Sequence, residues 1–127
     1  MPFITNWVHT PYIINSTFTG IVSITEVDAV MQDYRMKLDD SNGLYVMIDF
    51  ERALSIPTTL LQIDAIIEVI NHSNTRWFVI VNPVGFDSTT TNLLSQDKVK
   101  VVNTKNKALG FLRGMVRLDT GIKLESG

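Results

Sequence analysis

Strand-like and helix-like patterns of hydrophobic residues alternate along the chain, and the first two are strands. The segments Ile4–His9 and Tyr12–Thr19 are rich in β-branched and aromatic residues, and Pro11 between them suits a turn, which predicts an opening β-hairpin. In the second strand Ile14 and Phe18 fall on one face and polar residues on the other, so one sheet face is predicted to be open to water there. The polar residues of that face are Asn15, Thr17 and Thr19.

The next apolar residues recur at helical spacing. Gly20 is predicted to end the second strand. Ser23 and Glu26 have the spacing of a capping box, in which two residues satisfy each other's free backbone donors at a helix start. A helix is therefore predicted from there to the turn residues at 39–43. Its apolar face is predicted to consist of Val27, Val30, Met31, Tyr34 and Leu38.

Two short apolar runs have the character of buried strands. Because only interior strands tolerate unbroken apolar sequence, Leu44–Ile48 and Trp77–Val81 are predicted to be adjacent central strands. Asp49 follows the first run, near the predicted carboxyl end of its strand. A loop over residues 51–56 and a helix that begins near Pro57 are predicted to follow.

The remaining segments predict two helices and a strand. Phe86–Gln96 predicts a short helix with threonines that lower its propensity. Lysine and valine alternate in Lys98–Val102, which is typical of an exposed edge strand. Asn103 or Thr104 is predicted to cap a last helix. The apolar residues of that helix are Ala108, Phe111, Leu112 and Met115.

The order of these elements, β-β-α-β-α-β-α-β-α, predicts an α/β domain with an N-terminal β-hairpin followed by alternating helices and mainly parallel strands. A chain of 127 residues is close to the usual size of one domain. We expect this domain to span residues 1–117 and a loosely ordered C-terminal tail to span residues 118–127.

Composition excludes several classes of protein. The apolar fraction of 45% and the charged fraction of 19% are typical of a globular chain, and the absence of cysteine excludes disulfides and thiolate metal sites. No signal-peptide pattern and no apolar run long enough for a membrane span are found, so we expect a cytoplasmic protein. With a net charge of −2, the electrostatic footprint of a nucleic-acid binder is missing.

Candidate chemistry is sparse. Ligands favour the carboxyl edge of parallel strands, where Asp49 stands as a candidate phosphoacceptor or general base and, alternatively, as a structural residue that bonds loop amides. His9 and His72 fall in different parts of the predicted domain, so no metal site and no cofactor are expected. Motifs of nucleophile elbows, phosphate loops and zinc proteases are absent. Of the two tryptophans, Trp7 is the better candidate for a surface position and Trp77 for packing.

Three stretches carry a resemblance to a known family. They are TFTG at residues 17–20 before a capped helix, the strand LYVMIDF followed by ERALSIP and a helix, and the closing strand and helix KVKVVNTKNKALGFL. In this order and spacing they cover nearly the whole chain. The chain resembles a STAS domain, the class of the bacterial anti-sigma-factor antagonists and of the cytoplasmic tails of sulfate transporters. The resemblance implies a SpoIIAA-like fold and a protein partner such as an anti-sigma factor or a kinase.

The resemblance also implies a site of phosphorylation. In the antagonists of this family a Ser or Thr at the start of the helix after the central strand is phosphorylated, usually within Asp-Ser-Ser-Gly. The matching hydroxyl positions here are Thr58 and Thr59, whereas Pro57 replaces the acidic residue and Leu60 the glycine. Pro57 thereby removes a carboxylate and an N–H donor. The alternative interpretation of both threonines is as ordinary residues of a first helical turn.

The residues leave two functions open. The first is a non-catalytic regulatory module that binds a protein partner. The second is a small enzyme or ligand-binding protein that uses Asp49, Ser55 and Thr58. No nucleophile beside a base is legible in the sequence, which favours the first function. The predicted partner-binding residues are Asp49, Ser55, Thr58, Thr59, Pro83 and Phe86.

Overall fold

The computed structural model describes residues 3–56, 64–81 and 98–124, which build a five-stranded sheet with helices against both faces. The strands follow one another in chain order, and β1 is antiparallel to β2 whereas all later neighbours are parallel. This confirms the predicted α/β domain that opens with a hairpin; the helix predicted over residues 86–96 lies outside the described residues. The elements are β1 (Phe3–His9), β2 (Ile13–Ile21), α1 (Ile24–Asp39), β3 (Leu44–Ser55), α2 (Asp64–Asn71), β4 (Thr75–Val81), β5 (Val99–Val102) and α3 (Lys105–Thr120).

Two apolar clusters fill the two faces of the sheet. Helices α1 and α2 cover one face, and α3 covers the other. Because side chains alternate along a strand, β3 serves both clusters: Val46 and Ile48 belong to the first, and Tyr45 and Met47 to the second. Burial of each large apolar side chain stabilises the fold by roughly 1.5–3 kcal/mol. Val46 lies opposite Phe78 in the parallel register of β3 and β4, which confirms that the two apolar runs are adjacent central strands.

Strand β3 is longer than predicted. Residues 51–55, which the sequence predicts to be a loop, continue the strand because the end of β2 pairs with them, with Gly20 opposite Ala53. The prediction that Gly20 ends β2 is therefore wrong. Gly20 has a φ of 68°, which a glycine adopts without the steric penalty of other residues, and the strand continues through it. Asp49 consequently lies inside β3 rather than at its end.

The open face of β2 is smaller than predicted. Asn15 is fully buried, whereas Thr17 is half-buried and Thr19 is exposed. Ile13, on the same face, packs in the cluster beneath α3. The Asn15 amide donates to Thr17 Oγ1 at 3.0 Å, so the polar side chain is held within the sheet surface. Only the carboxyl half of this face is open to water.

The start of α1 forms half of the predicted capping box. Ser23 Oγ accepts a hydrogen bond from the backbone N–H of Glu26 at 3.2 Å, which is the N-cap bond. The same hydroxyl donates to the Glu26 carboxylate at 2.9 Å. Glu26 therefore binds the hydroxyl of Ser23 rather than its backbone N–H.

Helix α3 has a clear start and a later end than predicted. Thr104 is its N-cap, with Oγ1 accepting from the backbone N–H of Lys107 at 3.2 Å. Residues 118–120, assigned to the loose tail by the sequence, continue the helix to its closure at Gly121, whose φ is 76°. The Thr120 hydroxyl donates to the carbonyl of Val116 at 2.6 Å, which holds this last turn.

Candidate functional site

Of the described residues that were predicted to carry function, Ser55 lies at the carboxyl edge of the sheet, whereas Asp49 does not. Asp49 is in register with Thr17 of β2 and with Val81, the last residue of β4. It therefore lies level with the end of β4, whereas β3 itself continues to Ser55. At about 3.3 Å per residue, Asp49 and Ser55 are roughly 20 Å apart along the strand. The fold does not bring these two side chains together around one small molecule.

Asp49 is a buried carboxyl group that holds a backbone amide. The residue is 4% exposed, and its Oδ1 accepts a hydrogen bond from the backbone N–H of Glu51 at 2.9 Å. Burial raises the pKa of Asp49, against the opposing effects of that hydrogen bond and of the charges on Lys105 and Arg52. This geometry fits the structural interpretation of Asp49, and it leaves the side chain almost no surface for a partner.

Glu51, which sequence reasoning missed, connects β3 to the start of α3. Its Oε1 accepts a hydrogen bond from the backbone N–H of Lys105 at 2.5 Å. Helix α3 has no acidic residue in its own first turn, so Glu51 supplies the negative charge that a helix N-terminus favours. The only signal in the sequence is the missing first-turn acid, which does not say where the carboxylate comes from.

Exposed apolar side chains lie next to Ser55 in register and in sequence, at the ends of β2 and β3. Ile21 is in register with Ser55 and is 75% exposed, and Leu54 on the neighbouring strand is 77% exposed. The backbone N–H of Val22 donates to the Ser55 carbonyl at 3.0 Å, which ties the two strand ends together. Ile24, at the start of α1, is also exposed. We call Ile21, Ile24 and Leu54 the carboxyl-edge patch. Sequence reasoning missed it because Gly20 was taken as the end of its strand.

The other predicted site residues lie outside the described part of the chain. They are Thr58, Thr59, Pro83 and Phe86. Their placement beside Ser55, and phosphorylation of the two threonines, stay predictions.

The two histidines bind to different elements. Arg113 of α3 donates from Nε to His9 Nε2 at 3.1 Å, and burial together with the Arg113 charge lowers the pKa of His9. His72 Nε2 forms a hydrogen bond with Asp39 Oδ1 at 2.8 Å at the end of α1.

Within residues 3–56, 64–81 and 98–124, no three His, Asp or Glu side chains form a group suited to a metal ion. No helix of these segments has the length and apolar character needed to cross a membrane.

Solved structures of two other proteins share this fold. The anti-sigma factor antagonist SpoIIAA in its unphosphorylated form is 14% identical, with a TM-score of 0.59 over 88% of this chain and 96% of its own. A putative anti-sigma factor antagonist from Thermotoga maritima is 19% identical, with a TM-score of 0.58 over 87% of this chain and 94% of its own. No protein-family model matches the chain, and no curated protein matches it. The chain thus has the fold of the anti-sigma factor antagonist SpoIIAA.

Proposed function

We propose that this chain is a non-catalytic, STAS-like regulatory module that binds a protein partner at the carboxyl edge of its sheet. The observation that carries the proposal is the carboxyl-edge patch, in which Ile21 and Leu54 stand exposed on neighbouring strands. Exposed apolar side chains on neighbouring strand ends are candidates for a surface that another molecule covers. The fold shared with two antagonists supports an anti-sigma factor or its kinase as the class of partner.

The surroundings of the patch fit a protein interface. Glu51, Arg52 and Ser55 are exposed along the same stretch of β3 and provide a polar rim around the apolar side chains. Burying Ile21 or Leu54 against a partner is worth roughly 1.5–3 kcal/mol each, which is about tenfold or more in affinity. Asp49 contributes indirectly, because it fixes the backbone of Glu51 within this rim.

The absence of catalysis in this proposal rests on the placement of the candidate groups. Asp49 is buried and bonded to a backbone N–H, and Ser55 lies far along the strand from it. A general base has to be within hydrogen-bond reach of the group that it activates. The alternative enzyme that uses Asp49, Ser55 and Thr58 therefore gains no support from the described geometry.

The test is a calorimetric titration against purified anti-sigma factor kinases encoded in the same genome. The double variant Ile21→Ser/Leu54→Ser is expected to bind at least about tenfold more weakly than the unsubstituted protein. Leu118→Ser is the matched control, because Leu118 is 76% exposed on α3, away from the patch. Equal affinity of the double variant and the control would show that the partner does not bind at the carboxyl-edge patch.

Phosphorylation of Thr58 or Thr59 is the proposed switch at this edge. A phosphate adds about −1.5 to −2 charge, and if the threonines lie near the partner surface, as the sequence predicts, it would weaken a partner that packs closely there. Thr58→Glu and Thr59→Glu are expected to reduce affinity in the same titration, whereas Thr58→Ser retains it. Unchanged binding of both glutamate variants would remove the switch and leave the interface in place.

A further inference from the structure

A cleft opens at the amino edge of the sheet, opposite the carboxyl-edge patch. Its volume is about 890 Å³, within the range of small-molecule sites. The turn between β1 and β2, the loop between α1 and β3, the start of β4 and the end of α3 meet there. We call it the amino-edge cleft. Its lining includes Trp7, Tyr12, Gly43, Tyr45, Arg76 and Asp119.

Arg76 presents a cation that no carboxylate of the described segments neutralises. Its Nη2 donates to the carbonyl of Asn42 at 3.2 Å, and it makes no ion pair within the described segments. Gly43 makes room for this side chain, because a Cβ at that position would lie 2.6 Å from Arg76 Nε. The guanidinium thus lies against the loop, and among the described residues the carbonyl of Asn42 is the acceptor found for its five N–H donors. Its planar fork suits a carboxylate or phosphate.

Tyr45 and Asp119 form the polar wall of the cleft. The buried Tyr45 hydroxyl donates to Asp119 Oδ2 at 2.7 Å. Burial and Asp119 together raise the pKa of Tyr45 above its usual value, against the opposing charge of Arg76. The hydroxyl therefore keeps its proton and uses it on Asp119.

Two aromatic residues of the cleft, Trp7 and Tyr12, are only partly covered by the rest of the protein. Trp7 is 36% exposed and contributes to neither apolar cluster, and Tyr12 is half-buried beside it. Trp77, by contrast, packs edge-on against Phe111 with ring centroids 4.8 Å apart. A partly exposed indole in the same cleft as a guanidinium that no described carboxylate pairs with is suited to a flat ring that carries a negative charge.

The charges of the lining limit the ligand to a single negative group. Lys37 reaches the cleft, but both carboxylate oxygens of Asp33 accept from its ammonium group at 2.8 Å. Asp40 and Asp119 add two carboxylates to the lining. Among the described residues Arg76 is the lining cation that no carboxylate pairs with, and the carboxylates of Asp40 and Asp119 would repel a polyphosphate.

We propose that the amino-edge cleft binds a small planar aromatic molecule with one anionic group, its ring against Trp7 and Tyr12 and its carboxylate against Arg76. This ligand site is distinct from the proposed partner interface. The two lie at opposite ends of β3, roughly 30 Å apart at about 3.3 Å per residue.

The test follows the indole N–H resonances of the two tryptophans during titration with 2-naphthoate. The Trp7 signal is expected to shift with saturation, whereas the packed Trp77 serves as an internal reference. Neutral 2-naphthamide has the ring without the charge, and acetate has the charge without the ring. Both are expected to bind at least about tenfold more weakly than 2-naphthoate. 2-Naphthyl phosphate distinguishes the two anionic groups and is expected to bind more weakly than the carboxylate.

Two arginine variants localise the charge. Arg76→Gln is expected to weaken 2-naphthoate at least about tenfold. Arg35→Gln changes an exposed arginine of α1 that pairs with Glu68 and does not line the cleft, and it is expected to leave binding unchanged. A Trp7 signal that does not move, equal binding of naphthoate and naphthamide, tighter binding of the phosphate, or equal effects of the two variants would each overturn the proposal. None of these results depends on the partner interface.

Discussion

A chain of hydroxyl groups crosses the core between β1 and α1. Thr5 Oγ1 lies 2.6 Å from Ser16 Oγ, which lies 2.6 Å from the buried hydroxyl of Tyr34, and Tyr34 donates to the carbonyl of Met47 at 3.2 Å. Each hydroxyl has one proton. Since that of Tyr34 goes to Met47, Ser16 has to donate to Tyr34 and Thr5 to Ser16. Four elements of the fold are thereby joined by one directed chain.

Tyr34→Phe removes the middle of this chain and keeps the packing of the ring. The Met47 carbonyl loses a donor, and the Ser16 proton is left without its acceptor at a fully buried position. An unpaired buried polar group costs about 1–3 kcal/mol. We expect the free energy of unfolding to fall by that amount, because the phenyl ring leaves no large cavity. For a domain with a total stability of about 5–15 kcal/mol this is a large fraction.

Urea unfolding at constant pH measures the change. Tyr12→Phe is the control, because Tyr12 makes no side-chain hydrogen bond in the described segments, and we expect less than about 0.5 kcal/mol there. A double-mutant cycle with Ser16→Ala should give a coupling of about 0.5–1.5 kcal/mol. A loss below about 0.5 kcal/mol for Tyr34→Phe, or strict additivity in the cycle, refutes the directed chain.

Two further predictions concern Asp49 and Thr104. Because burial raises the folded-state pKa of Asp49, its stabilising contribution is fully present below the unfolded pKa and is lost as pH rises through the folded pKa. Asp49→Asn keeps an acceptor for the Glu51 N–H but cannot ionise. In urea unfolding, its free energy of unfolding should therefore rise relative to that of the unsubstituted protein as pH increases from about 3 to 7. A relative fall over the same range contradicts this. Thr104→Ala removes the acceptor of the Lys107 N–H and should cost about 1 kcal/mol in thermal unfolding, whereas Thr104→Ser restores it; equal melting of both variants would show that the cap is dispensable.

The parts of the fold that were predictable are those with a local signal. The apolar runs Leu44–Ile48 and Trp77–Val81 identify central strands by themselves, and Thr104 is a typical N-cap. The extension of β3 was not predictable, because its polar residues form a strand only through the pairing of Gly20 with Ala53. Because of this extension, Asp49 lies inside β3 and not at the carboxyl end predicted from the sequence.

The site was less predictable than the fold. Ser55 lies at the predicted edge of the sheet, but the exposed Ile21 and Leu54 beside it depend on where two strands end together. The sequence indicated a surface position for Trp7 but not the amino-edge cleft that Trp7 lines. Tyr45 and Asp119 are hydrogen-bonded across most of the chain length, and only tertiary packing brings such distant residues together.

The arrangement of the strands in chain order bears on how this domain is made. Each new strand joins the edge left by the one before it, so the sheet can grow in the direction of synthesis without waiting for distant segments. Helices α1 and α2 cover one face early, whereas among the described elements the helix that covers Met47, Val79 and Val81 on the other face is α3, which is synthesised last. The nascent chain therefore passes through a stage in which one face of the sheet is packed and the apolar side chains of the other face still lack α3. Until α3 packs there, that face can associate with other unfinished chains.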